Sequence, residues 1–367
     1  MSDTLEARRQ AAQLAFVASG QDLQVGDPQR SPWPLEELAA LTPAHPAVRA
    51  TFDGGLTARV LRLQSADGRH WTLKQARRPA RVRNVDGQTS FLNELQRRAD
   101  VLALKQREPG RWVGLVDTTV GSLRHGVLLS PWIEGQPVAQ WDERCLRQVL
   151  ELAGALWLEG LFEWDLCAGN LLDDGRQLYL FDFGYQYRFD PLQQFNSAGL
   201  GTDQPLFHPA ERFETRCFAA HCLQLEREQG FAAALAAFQL EKEAAVAVYA
   251  GLLAESRRRG AAPVVLDWLE GLIQRWRQAL AGDLATLYLA ENWRSHVIDL
   301  HDDLSGQSCT PQTLQRADWL LAALAQQGAA LQAQGALLWD DAGRSLAELC
   351  THYQGLRAQA EGFQLAN

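Results

Sequence analysis

Residues 163–184, EWDLCAGNLLDDGRQLYLFDFG, constrain this chain more than any other stretch. They set Asp165, then Asn170 five residues later, then Asp182 at the head of an Asp-Phe-Gly triplet. Between the last two, the apolar runs NLL and LYLF flank an Asp-Asp-Gly turn, which is the pattern of a tight hairpin. Two carboxylates and a carboxamide on loops around a hairpin are hard oxygen donors, of the kind that hold magnesium shared with a polyphosphate. Taken singly, each of the three has a local explanation, because Asp and Asn favour turns for their own hydrogen bonding.

The surroundings decide how much weight the three residues carry. Before them, AVRATF, ARVLRLQ and HWTLKQA alternate like strands and are separated by Asp-Gly-Gly and Ala-Asp-Gly turns. Residues 88–107 place Phe91, Leu95, Ala99 and Leu102 at helical spacing behind a Thr-Ser cap, and RWVGLVDT and GVLLSPWI read as two further strands. Asp142 to about Gly160 is helical, with Leu146, Val149, Leu150, Ala153, Leu156 and Trp157 on one face. Beyond Pro209, helices are expected at about 210–228, 231–256, 264–281, 283–301, 311–328 and 342–362. At the other end, residues 2–19 suggest a short amphipathic helix, and QVGDPQRSPWP reads as a linker. The expected class is therefore α+β, a small strand-rich lobe followed by a helical one.

Lysine usage sharpens the picture. Of 35 basic residues only Lys74, Lys105 and Lys242 are lysine, so arginine is used almost wherever a plain positive charge suffices. Lys74 lies in the third strand, WTLK, and Glu94 follows twenty residues later in the middle of a helix. A compact ammonium paired with a glutamate and set across two phosphates is work that the planar guanidinium fork does poorly. Lys105 and Lys242 have no comparable setting in the sequence.

This constellation resembles the protein kinase superfamily, whose catalytic loop reads HRDxxxxN and whose metal loop reads DFG. The resemblance implies a bilobal fold, with a β-rich lobe at 46–133 after an N-terminal helix and linker at 1–45. It continues with a helical lobe at 134–215 and an appended helical domain at 216–367. It implies ATP and Mg2+ as cofactors, with Asp165 orienting the attacking hydroxyl and accepting its proton. Asn170 and Asp182 take the place of metal ligands, Lys74 that of the phosphate anchor and Glu94 that of its partner. Pro131, Trp132 and Ile133 of SPWIEG look like the hinge facing adenine, and Pro209 and Glu211 loosely resemble the end of an activation segment. The departures are equally specific. In place of the glycine-rich loop stands DGGLTARV, which keeps Gly54 and Gly55, only the latter in register, and has Ala58 where the last glycine belongs. The HRD histidine and arginine are Glu163 and Trp164, and the lysine two positions beyond the aspartate is Cys167. The charge that lysine supplies must come from elsewhere. The run KQARRPARVR, with Arg77, Arg78, Arg81 and Arg83, is one source, and a solvated loop is the other reading of it. The chain thus resembles a divergent, bacterial-type member.

The leading expectation is a protein kinase acting on Ser, Thr or Tyr hydroxyls. A small-molecule kinase, similar to aminoglycoside or choline phosphotransferases, is the alternative, with a kinase-like nucleotidyl transferase or a pseudokinase scaffold behind it. The first 110 residues carry an excess of basic groups and the remainder is acidic, for a net charge of −9. That balance argues against a general nucleic-acid or anionic-membrane binder, and it suits a cationic acceptor or a protein partner docking on the C-terminal helices. No apolar run reaches the roughly 18 residues of a membrane span, and the charged beginning MSDTLEARR lacks a secretory pattern, so a cytoplasmic protein is expected. The six cysteines form no CxxC pair, and Cys167, with no histidine placed to activate it, reads as filler. His296 and His301 with Asp299, Asp302 and Asp303 match no metal-ligand spacing. Ser197 and Thr202 are ordinary loop hydroxyls that could accept phosphate. Trp157, Trp268, Trp276 and Trp319 fall on apolar helix faces and are expected in the core.

Overall fold

The computed structural model describes residues 4–200 and 206–365. Thr202 lies outside the described residues. In chain order the first part holds α1 (Leu5–Ala18), β1 (Gln24–Gly26), α2 (Leu35–Ala40), β2 (Val48–Phe52), β3 (Ala58–Gln64), β4 (His70–Ala76), α3 (Val85–Arg107), β5 (Val120–Ser122) and β6 (Val127–Pro131). These strands form one antiparallel sheet in the order β1-β5-β6-β4-β3-β2. One face packs Leu61, Leu63, Trp71, Leu73, Val127 and Leu129 against Leu38 and Leu41 of the α2 region. The other packs Val25 and Leu128 against Phe91 and Leu95 of α3. Alternation along β3 and β4 is what lets both faces bury apolar side chains.

Three readings of the sequence change here. The stretch taken as a linker contributes β1, whose Val25 is buried against α3. RWVGLVDT forms no strand: Val116 N–H donates to Leu180 O, and Leu180 N–H to Gly114 O, so the run crosses between α3 and the sheet while hydrogen-bonding to the second lobe. Its apolar residues Trp112, Leu115 and Val116 are buried by that crossing, which is why it carries the hydrophobicity of a strand. The α3 helix starts at Val85, capped by the Asn84 side chain accepting from Gly87 N–H, and so takes in the Thr-Ser pair expected to cap it.

The second part holds β7 (Gln136–Pro137), α4 (Glu143–Leu158), β8 (Leu161–Glu163), β9 (Leu171–Asp173), β10 (Leu178–Leu180) and β11 (Gln186–Arg188). Then come α5 (Pro209–Phe213), a π-helical turn (Glu214–Phe218), α6 (Ala219–Gln229), α7 (Phe231–Arg258), α8 (Pro263–Ala281), α9 (Leu284–Gly306), α10 (Pro311–Ala333) and α11 (Leu346–Gly362). The β9–β10 pair is the hairpin expected at the Asp-Asp-Gly turn, and β8 pairs with β11. Helices α4 to α8 share one core that includes Trp157 and Trp276, with Trp268 packed against it, while α9, α10 and α11 close a second core around Trp293, Leu320 and Tyr353 with Trp319 at its edge. No described helix is long and apolar enough to cross a membrane.

Candidate active site

Strand β4 presents Lys74 toward α3, and its Nζ lies 2.9 Å from Glu94 Oε2 and 2.6 Å from Asp182 Oδ2. Lys74 and Glu94 are both buried. Arg98, one helical turn beyond Glu94, donates to Glu94 Oε1 at 2.9 Å and to Phe181 O at 2.6 Å. Burial opposes charge on Lys74 and Asp182, but their mutual attraction outweighs it: the lysine is raised above its ordinary value and the aspartate held below its own. The loop that carries Asp182 is pinned to α3 by Asn93, whose Nδ2 donates to Phe183 O, Gly184 O and Gln186 O.

Across the cleft, Asn170 Nδ2 donates to Asp165 O at 2.9 Å and to Asp165 Oδ2 at 3.2 Å. This leaves Oδ1 as the acceptor end of that side chain. Beneath the loop, Glu163 Oε1 accepts from Asp165 N–H at 2.9 Å. Burial first, and then the charge of Asp165, push the Glu163 carboxyl well above its ordinary value. Burial, and then the charges of Asp165 and Asp182, raise the Tyr185 phenol. Cys167 is raised well above the ordinary thiol value, mainly by burial, which makes it a poor nucleophile.

The remaining candidates line the rim. Gly54 and Gly55 lie in the β2–β3 turn, where a Cβ on Gly55 would come 2.5 Å from Ala58 O. Phe52 at the end of β2 stacks on Trp132 at 6.1 Å, which brings that turn beside Pro131–Ile133. Within the basic run, Arg77 donates to Gly55 O and Asp53, Arg78 to carbonyls of Leu123 and Arg124, and Arg81 to Asp53 O, while Arg83 is exposed. Ser197 Oγ accepts from Trp164 Nε1, and Glu211 pairs with Arg212 inside the core. Among the described residues no group of three or more His, Cys, Asp and Glu side chains is placed to hold a metal by itself, and His296 packs in the core beside Arg316.

Two parts of the site have no signal in the local sequence. Arg216, in the π-helical turn, donates from Nε to Asp165 Oδ1 at 3.1 Å and pairs through Nη1 with Asp299 of α9. A cavity of about 530 Å3 opens beside Asp165 and Arg216, walled by Trp164, Tyr185, Arg9 of α1, and Asp302 and Asp303 of α9. Arg98 was open to detection, since it stands four residues after Glu94 on one helix face.

The donor set fits a divalent cation bound with phosphate. Asp182 and Asn170 offer hard oxygens, and Lys74 stands beside the first as a point charge. No protein-family model and no curated protein matches the chain. Among solved structures, a Rio2 kinase in complex with ADP, Mg2+ and phosphoaspartate from Chaetomium thermophilum is similar at 14% identity over 63% of this chain and 72% of that one, with a TM-score of 0.34. A macrolide 2'-phosphotransferase apoenzyme from Brachybacterium faecium is similar at 15% identity over 66% of this chain and 91% of that one, with a TM-score of 0.32. A type I macrolide 2'-phosphotransferase gives 16% identity, 61% and 90% coverage and a TM-score of 0.30. A six-stranded antiparallel sheet whose Lys74 meets Glu94 of α3, set over a helical lobe in which Asn170 and Asp182 flank the β9–β10 hairpin, makes this a kinase-like α+β fold.

Proposed function

We propose that the protein is a phosphotransferase that moves the γ-phosphoryl group of ATP to a hydroxyl. The observation that carries this reading is the buried Lys74 ammonium bridging Glu94 and Asp182, a geometry that positions one positive charge between a helix and the metal-loop carboxylate. Mg2+ bound by Asn170 and Asp182 would neutralise phosphate charge. Lys74 anchors the phosphates, Glu94 and Arg98 hold Lys74 in place, and Asp165 orients the acceptor hydroxyl and takes its proton. Asn170, bonded to Asp165, fixes the direction of that carboxylate.

The sequence favoured a protein hydroxyl as acceptor. The cavity beside Asp165 favours the alternative, a small molecule: its volume of about 530 Å3 lies in the range of small-ligand sites, and α1 and the end of α9 wall it in. Aromatic walls and the carboxylates of Asp302 and Asp303 suit a cationic, partly apolar alcohol. Incubation with γ-labelled and, separately, α-labelled ATP, with and without Mg2+, tests the reading. Transfer of γ-label that requires Mg2+ supports it, α-label in the product makes the protein a nucleotidyl transferase, and no label transfer sinks the enzyme reading. Gel and thin-layer separation of the product distinguishes protein from small-molecule acceptors.

A further inference from the structure

The catalytic loop, EWDLCAGN, contains no lysine or arginine, yet a phosphoryl group in flight spreads negative charge over three equatorial oxygens. We propose that Arg216 supplies the missing charge from the π-helical turn, acting as a catalytic residue on the transferred phosphoryl group. The inference rests on the phosphotransferase reading and names a residue that the motif resemblance does not contain.

Three features of the structure point to this role. Arg216 Nε lies 3.1 Å from Asp165 Oδ1, within one hydrogen bond of the group proposed to take the acceptor proton, and both residues face the same cavity. Second, the guanidinium is held from behind. Nη1 pairs with Asp299, whose other oxygen forms an ion pair with Arg316 Nη2 at 2.8 Å, and Arg316 reaches Thr215 O in the same turn. Nη2 of Arg216 has no hydrogen-bond partner among the described residues and remains to meet a ligand. Third, the residue sits in a π-helical turn, where one extra residue per turn bulges the backbone, a feature concentrated at functional sites. Glu214 in that turn is paired with Lys242 and Arg294.

In the step, a bond forms between the acceptor oxygen and Pγ as the bond from Pγ to the bridging oxygen of ADP breaks. The electron pair leaves with ADP and the acceptor proton passes to the Asp165 carboxylate. Arg216 Nη2 donates to an equatorial oxygen throughout, and a fixed donor there is worth about 10²-fold or more in rate.

The test measures γ-phosphate turnover of Mg-ATP, to acceptor or to water, in the full chain carrying R216Q or R216K, with melting temperature as the folding control. Glutamine keeps a donor for Asp165 but removes the charge, and lysine restores charge without the fork. Expected are a fall in kcat of at least about 100-fold in R216Q, KM for ATP within about threefold of the parent, and recovery of at least about tenfold in R216K over R216Q. R216Q with kcat within about threefold of the parent, or R216Q and R216K equally impaired, overturns the inference while leaving the phosphotransferase reading standing. Absence of turnover in the unmodified protein removes that reading and the inference with it.

Discussion

Lys242 Nζ lies 2.7 Å from Glu214 Oε1 at a position with no solvent exposure. Glu241 and Glu291 also reach the ammonium, at 3.1 and 2.5 Å, and Arg294 binds the second oxygen of Glu214. Nothing around Lys242 in the sequence suggested this setting, yet it fixes the π-helical turn that carries Arg216. Removing one member of a buried ionic cluster leaves uncompensated charge, so Lys242→Met is expected to cost about 3–5 kcal/mol. Urea unfolding measures it, and a loss below about 1 kcal/mol at unchanged m-value would show the cluster to be dispensable.

The same cluster sets a pH dependence. Burial, then the charge of Glu291, push Glu214 up to about 8, and burial raises Glu241 as well, whereas Glu291, against its burial, is held down to about 2 by Lys242 and Arg294. Between the ordinary carboxylate value of 4.5 and about 8 the native state binds a proton that the unfolded chain has released. Stability therefore falls as pH rises through that window, and buried Glu163 adds to the slope. Below it, Glu291 acts in reverse, contributing stability that is lost as pH drops toward 2. His208, His221, His296 and His301, whose values are lowered by burial, act in the opposite sense below about pH 6.5, so the test is the difference between about pH 6.5 and 8, where melting temperature should fall more in the parent than in E214Q; identical slopes would contradict the assignment.

At the lobe interface, Lys74→Met is expected to lower phosphoryl transfer by at least about 100-fold while the chain stays folded. Glu94 keeps Arg98 as partner after the substitution, which limits the structural damage to about 1–3 kcal/mol. Labelled transfer and thermal melting, run together, separate the two effects. Retained transfer in a folded variant would remove Lys74 from the site.

Gly26 tests the revised reading of the N-terminal segment. Its φ is +78°, and a Cβ there would stand 2.3 Å from Thr119 O, across the β1–β5 pair. A flexible linker tolerates Gly→Ala, but this position is strained and crowded, so Gly26→Ala should destabilise by about 1–3 kcal/mol. An unchanged melting temperature would mean that β1 contributes nothing to the sheet.

Local pattern was enough to read most of the elements. Strand alternation gave β2, β3 and β4, the helical period gave α4 and the C-terminal helices, and the Asp-Asp-Gly turn gave the β9–β10 hairpin. Errors fell where burial came from another part of the chain. RWVGLVDT is apolar because both lobes cover it, and QVG is too short to show an alternation that its partner β5 supplies.

The sequence by itself determined the spacing of Lys74, Glu94, Asp165, Asn170 and Asp182, because those residues lie on elements whose periods and turns are written locally. Tertiary structure alone decided which cation meets Asp165: Arg216 stands 51 residues from that aspartate and 83 from the Asp299 that holds it. It also decided that Lys242 would be buried among carboxylates and that α1 and α9 would wall the cavity. Contacts of that span depend on how helices pack around a shared core, and a charged residue's partner there is set by burial that no local window of sequence encodes.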